Sequence, residues 1–242
     1  MNLIIDIGNT RVKLAVYEEN SCVDKYIVLK KDFLKSIKNI LNKNPKIKKG
    51  IISSVDFFSK EEENDLKKLL NLTVVSTSMS LPFKNLYETP KTLGLDRIAL
   101  IAAAADQYRK ENVLVIDAGT CITYDFLNSK NEYLGGAISL GLTIRYEALH
   151  NLTAKLPQLK PDDSNFLIGN STESSIHSGV INGLVNEIDG IIQQYQSTYK
   201  DLTIILTGGD TNFLSKRLKS SIFANSNFLL EGLNHLLKIN TD

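Results

Sequence analysis

The feature that most constrains this chain is that it repeats itself. Residues 3–17, LIIDIGNTRVKLAVY, and residues 114–127, LVIDAGTCITYDFL, follow one plan, with Asp6 matching Asp117 and Gly8 matching Gly119. Each copy is an apolar run, an Asp, a spacer, a Gly, small polar residues and a second alternating run. Two residues suffice to turn an antiparallel hairpin. A carboxylate, a glycine, short polar side chains and Lys13 at one bend therefore ask for a reason beyond turning. The repeat also divides the chain into two copies of one βββα plan joined near residue 110, an N-terminal domain over 1–110 and a C-terminal domain over 111–242.

The rest of the chain supports two α/β halves. YIVL (26–29) continues the first strand pair as a third strand, and Phe33, Leu34, Ile37, Ile40 and Leu41 recur at helical spacing before Pro45. GIISSV (50–55) and TVVST (73–77) read as further strands, with a helix over 60–71 opened by a Ser59/Glu62 capping box between them. Strands alternating with helices predict a sheet whose later strands run parallel. Residues 78–96 form a long aperiodic connection with two prolines, and 97–110 a strong helix. The second half has a third strand through Gly135-Gly136, a helix around 142–156, a polar connection and a long helix over 173–199 with Ile176, Val180, Leu184 and Ile188 on one face. A buried strand then reaches Gly208-Gly209, followed by a short helix, a strand near 222–224 and a C-terminal helix over 229–238.

Composition narrows the function classes. With 242 residues, 43% of them hydrophobic, and a formal net charge of +1, the chain has no basic face for nucleic acid or an anionic membrane. The longest apolar run, IALIAAAA, falls short of the roughly 18–20 residues of a membrane span, and Asp6 interrupts the first apolar run too early for a leader peptide. Cys22 and Cys121 lie far apart in no metal-ligand spacing. These features predict a soluble protein of the reducing cytoplasm.

The turns themselves suit an anion. Glycine after a strand lets backbone N–H groups approach a ligand, and successive N–H groups form an anion-binding concavity. Asn9, Thr10 and Thr120 add short donors, and Lys13 a mobile point charge. Carboxylates beside an anion make sense if a divalent cation bridges them to phosphate oxygens. Asp6 is the candidate for magnesium, while Asp117 could serve a metal or a reacting hydroxyl. A single Asp-x-Gly turn is most often only a hairpin, but two matched copies plus Thr207-Gly208-Gly209 ending a further strand favour a nucleotide held between two lobes. In LGLDR (93–97), Asp96 falls at or just before a helix start, so it reads equally as an N-cap and as a functional carboxylate. His150, His177 and His235 share no triad or ligand spacing, and Cys121 reads as a residue packed behind its turn. Neither a nucleophile elbow nor a Walker-type loop is present.

Taken together, DIGNTRVK (6–13), GLDR (94–97), DAGTCITYD (117–125), GG (135–136), GNST (169–172) and TGGD (207–210) resemble, in order and spacing, the type III pantothenate kinases of bacteria. The approach NLYETPKT and the C-terminal NFLLEGL resemble the family as well. The resemblance implies the acetate and sugar kinase, Hsc70 and actin superfamily: two duplicated ribonuclease-H-like (actin-like ATPase) domains with an ATP cleft between them. It implies that Asp6, Ile7, Gly8, Asn9, Thr10, Arg11, Val12 and Lys13 hold the ATP phosphates, that Thr120 contacts ATP, and that Asp117 binds potassium or ammonium. It places Tyr87, Gly94, Leu95, Asp96, Arg97 and Thr172 on pantothenate, with Asp96 as proton acceptor. ATP, magnesium and a monovalent cation are the implied cofactors, and a homodimer is the implied assembly, to which the alanine-rich stretch 98–105 lends support.

The expected reaction is transfer of the ATP γ-phosphoryl group to pantothenate, the first step of coenzyme A synthesis. Phosphoryl transfer asks mainly for positioning and charge stabilisation, which this set of glycines, hydroxyls, a lysine and carboxylates can supply. Two departures, Cys121 and Ser171, occupy places where the family often has a small residue and a threonine. Two other readings use the same fold: a non-catalytic accessory protein, which the intact Asp6, Asp96 and Asp117 oppose, and a kinase for another hydroxy acid or sugar, which GLDR and GNST oppose.

Overall fold

The structure is a computed structural model that describes residues 1–8, 11–54 and 59–241. It divides into two compact units, one of residues 1–109 with 131–133 and 227–242, the other of residues 110–130 with 134–226.

The first unit opens with β1 (Asn2–Ile7), β2 (Arg11–Glu18) and β3 (Ser21–Leu29), an antiparallel meander in which Asp6 pairs with Lys13 and Asn2 with Tyr17. Helix α1 (Phe33–Lys43) leads to β4 (Lys49–Ser54), and α2 (Lys60–Leu69) leads to β5 (Asn71–Val74). Both strands add in parallel to give the order β3-β2-β1-β4-β5. The expected capping box is present: Ser59 Oγ accepts from the Glu62 amide at 3.1 Å, and Glu62 Oε2 accepts from the Ser59 amide at 3.1 Å. As the central strand, β1 is buried on both faces, which is why it reads as a continuous apolar run. Leu3, Ile5 and Ile7 pack in a core with Phe33, Ile37 and Ile40 of α1 and Leu66 of α2. Residues Asn2, Ile4 and Asp6 point to the other face by the alternation of a strand.

That other face is covered by α3 (Leu95–Gln107) and a C-terminal helix. A two-residue strand, β6 (Lys84–Asn85), precedes α3 and pairs in parallel with Glu132 and Tyr133. The alanine-rich stretch of α3 is buried from Ile98 through Ala105, and its neighbour is the C-terminal helix, whose Gly232 lies so close to Ala99 that a Cβ there would sit 1.8 Å from the Ala99 carbonyl oxygen. Small residues on α3 thus permit a close helix crossing within this unit. Packing of that helix, not a second copy of the chain, accounts for the alanines, and it brings residues 227–242 into the first unit although the repeat boundary places them in the second.

The second unit repeats the order. It contains β7 (Asn112–Ala118), β8 (Cys121–Leu127), β9 (Glu132–Leu140), α4 (Leu142–Asn151), α5 (Thr172–Thr198), β10 (Leu202–Thr207), α6 (Thr211–Leu214) and β11 (Phe223–Ala224); α7 (Phe228–Thr241) is the C-terminal helix described above. The strand order β9-β8-β7-β10-β11 matches β3-β2-β1-β4-β5, with β7 antiparallel to β8 and parallel to β10. Leu114, Ile116 and Ala118 of β7 share a core with Ile176, Val180, Leu184, Ile188 and Ile192, one stripe of α5. The duplication read from two short segments is therefore a duplication of the whole sheet.

Candidate active site

Asp6 and Asp117 occupy the same place in the two sheets, the next-to-last residue of the first strand. After Asp6 the Gly8 amide donates to the Arg11 carbonyl at 3.1 Å, and after Asp117 the Gly119 amide donates to the Cys121 carbonyl at 3.0 Å. In β4, Ser53 stands beside Asp6; in β10, Thr207 stands beside Asp117.

Asp6 is buried, 7% exposed, and its carboxylate lies 3.6 Å from the Lys13 ammonium. Burial raises its pKa above the ordinary carboxylate value; Lys13 pulls it back, and the negative charge of Asp96 pushes it up again. The Asp96 carboxylate therefore lies within electrostatic reach of Asp6. A buried carboxylate with a second carboxylate in its field is chemically suited to a cation.

The start of α3 fixes how Asp96 is held. Gly94, not Asp96, is the N-cap residue, and the Asp96 Oδ1 atom accepts the Arg97 amide at 2.8 Å. A Cβ on Gly94 would lie 2.4 Å from that oxygen, so glycine leaves the carboxylate its position. Leu95 and Asp96 are partly exposed, whereas Arg97 is buried. The Arg97 guanidinium lies over the Tyr87 ring, 5.6 Å from its centroid, and Tyr87 in turn stacks on Tyr133 at 6.1 Å and 22°. Tyr87, Gly94, Asp96 and Arg97 thus form one local cluster. Ile7 and Val12 are buried supports of the first turn, and Arg11 is exposed. Asn9 and Thr10 lie outside the described residues.

In the second unit, Asp117 is held from beneath. Gly208 has φ +98°, and a Cβ there would meet the Ala118 carbonyl oxygen at 2.3 Å and Asp117 Oδ1 at 2.4 Å. The Asp210 amide donates to the Ala118 carbonyl at 2.9 Å, which ties the Gly-Gly turn to the end of β7. Thr120 is exposed, and its carbonyl accepts the Gly141 amide at 3.1 Å. Cys121 is exposed rather than packed behind its turn, because it is the first residue of β8 and precedes the buried Ile122. Thr172 is exposed in the first turn of α5, next to the Ser171/Ser174 capping box, and lines a cavity of about 930 Å³ with Leu140, Arg145, Leu149 and Ile176.

Three residues escaped the sequence reading. Tyr133 supports Tyr87 and is fully buried, with Phe83 at its edge, 6.0 Å away. Ser53 beside Asp6 and Thr123 opposite Asp117 carry buried hydroxyls without a hydrogen-bond partner among the described residues. Only the strand registers, which the sequence does not display, bring them to the carboxylates.

Comparison with known proteins shows the family of the chain. The family model for type III pantothenate kinase matches residues 2–194. A type III pantothenate kinase of Christiangramia forsetii is 55% identical over 240 residues, 99% of each chain. This chain belongs to the type III pantothenate kinase family. The solved structures agree on the fold. A glucokinase from an Antarctic psychrotroph superposes with a TM-score of 0.55 at 16% identity, covering 98% of each chain. A Campylobacter jejuni protein described as a candidate Baf family transcriptional activator superposes with 0.62 at 21%, again covering 98% of each. At these identities the likeness is one of fold, that of two ribonuclease-H-like domains.

No group of three or more His, Cys, Asp or Glu side chains with metal-binding geometry occurs among the described residues. A cation here would have to be shared between protein carboxylates and a phosphate ligand, the usual mode for magnesium. The buried Asp6, repelled by the partly exposed Asp96, fits that mode, and Asp117, packed on Gly208, offers a single fixed carboxylate.

Proposed function

We propose that this protein transfers the γ-phosphoryl group of ATP to the hydroxyl of pantothenate, giving ADP and 4′-phosphopantothenate, the first step of coenzyme A biosynthesis. The observation that carries the reading is an acceptor-type carboxylate, Asp96, at the start of α3 within electrostatic reach of the buried Asp6. Family membership supplies the substrate.

In this reading the chain positions and the phosphoryl group moves. Asp6, Ile7, Gly8, Asn9, Thr10, Arg11, Val12 and Lys13 form the first phosphate turn, and Thr120 contributes from the matching turn. Tyr87, Gly94, Leu95, Arg97 and Thr172 bind pantothenate, the Arg97 guanidinium offering a counter-charge for its carboxylate. Since Asp96 Oδ1 already receives the Arg97 amide, Oδ2 would take the hydroxyl proton. The hydroxyl oxygen forms its bond to the γ-phosphorus as the bond to the bridging oxygen of ADP breaks, and its proton passes to Asp96. Magnesium at Asp6 and potassium or ammonium at Asp117 would offset phosphate charge. The family resemblance also supports a cytoplasmic homodimer.

The test is incubation with ATP, magnesium, potassium and pantothenate, with phosphopantothenate identified by mass spectrometry. Formation of that product supports the reading. Phosphorylation of another hydroxy acid or sugar, with none of pantothenate, overturns the substrate.

A further inference from the structure

We propose that Tyr133 is a positioning residue for pantothenate: it fixes the plane of the Tyr87 ring and, through that ring, the Arg97 guanidinium. The proposal rests on the reading above, in which Tyr87 and Arg97 bind pantothenate. Tyr133 itself is fully buried, so it can act on the substrate only through its neighbours.

The backbone first brings the two tyrosines together. Tyr133 stands opposite Asn85 in the parallel pairing of β9 with β6, and its carbonyl accepts the Leu86 amide at 3.0 Å. The Lys84 amide likewise donates to the Asn131 carbonyl, at 2.9 Å. Asn85 Oδ1 then accepts the Tyr87 amide at 3.0 Å, a side-chain turn that sets the direction in which the chain leaves the ladder. Residues 131–133 belong with residues 1–109 to the first unit, so Tyr133 shares a unit with Tyr87 and Arg97.

The rings extend this alignment. Tyr87 stacks on Tyr133 with centroids 6.1 Å apart and planes at 22°, an offset-stacked pair. Phe83, also buried, meets Tyr133 edge-on at 6.0 Å and 71° and braces it. Tyr87 is only half-buried and sits on an aperiodic connection, so its plane is set by the buried ring it lies on. The Arg97 guanidinium is drawn to the face of the Tyr87 ring, 5.6 Å from its centroid. Its donors form a rigid planar fork, and the fork's value to a carboxylate depends on its orientation. A tilt of Tyr87 therefore turns the groups that meet pantothenate and leaves the phosphate turns untouched. A residue that merely filled space beneath β6 would have no such selective effect.

Steady-state kinetics of the full-length protein with ATP, magnesium and potassium, varying pantothenate and ATP in turn, tests the proposal. Tyr133→Leu, or Tyr133→Met should the leucine variant fail to fold, is expected to raise KM for pantothenate about threefold to tenfold, with kcat and KM for ATP near wild type. Tyr133→Phe, which keeps the ring, should retain the wild-type KM. In a Tyr87→Leu background the Tyr133 substitution should add nothing to KM, since it acts through Tyr87. A raised KM in Tyr87→Leu but not in the Tyr133 variant, a fall in kcat or Tm with KM unchanged, additive effects in the double variant, or a Tyr133→Phe variant as impaired as Tyr133→Leu would each overturn the proposal alone. A wild-type KM in Tyr87→Leu would remove Tyr87 from the substrate site, and the proposal with it.

Discussion

Asp6 and Lys13 face each other from paired positions of β1 and β2, with 3.6 Å between carboxylate and ammonium. The pair does not settle the carboxylate, whose pKa stays above its ordinary value because burial outweighs Lys13. Between the unfolded and folded pKa values the folded chain binds the extra proton, so ionised Asp6 lowers stability above that window and the cost is relieved as pH falls through the folded pKa. Asp6→Asn should therefore raise Tm at neutral pH, by an amount that shrinks on acidification, while phosphoryl transfer is lost. The half-exposed Lys13 forfeits little when its partner goes. Thermal unfolding of both proteins across pH 4–8 checks the sign.

Gly94 is the second test of the site. Its φ of −57° and ψ of 136° suit any residue, so Gly94→Ala should fold normally. The new methyl would press on Asp96 Oδ1, 2.4 Å away, and turn the carboxylate. We expect kcat to fall about tenfold to a hundredfold with Tm nearly unchanged. A fall in Tm with kcat intact would mean that the glycine serves the helix instead.

Gly208 combines positive φ with contact to Asp117 Oδ1. Gly208→Ala should cost about 2–4 kcal/mol of stability and weaken nucleotide binding together, as read by denaturant unfolding and ATP titration. Loss of stability alone would separate the turn from the nucleotide.

Gly232→Ala addresses the α3–α7 crossing. A Cβ 1.8 Å from the Ala99 carbonyl forces the helices apart, at about 2–4 kcal/mol, measurable as a shift in the urea midpoint. An unchanged midpoint would show that the crossing is looser than described.

These residues also mark where the sequence is legible. Asp6, Gly8, Asp117 and Gly119 announce the duplication because a strand-turn-strand plan is local, and their equivalent positions follow from it. Strand β3 starts at Ser21 rather than Tyr26 because an exposed edge strand needs no apolar alternation; its ladder with β2 defines it. Strand β5 ends at Val74 instead of Thr77, where its parallel ladder with β4 ends. Asp96 looked equally like a cap, and only the helix start at Leu95 shows that Gly94 takes that place. The partnership of α7 with α3 joins segments more than a hundred residues apart, so no local pattern could place α7 in the first unit.

The most direct measurement is pantothenate-dependent ADP formation by the wild-type protein and by Asp96→Asn, side by side. The account predicts ADP release that requires pantothenate, and a turnover lower by about 10²–10⁴-fold in the variant, with both proteins melting at similar temperatures. ADP release indifferent to pantothenate, or an Asp96→Asn variant as fast as wild type, would contradict it.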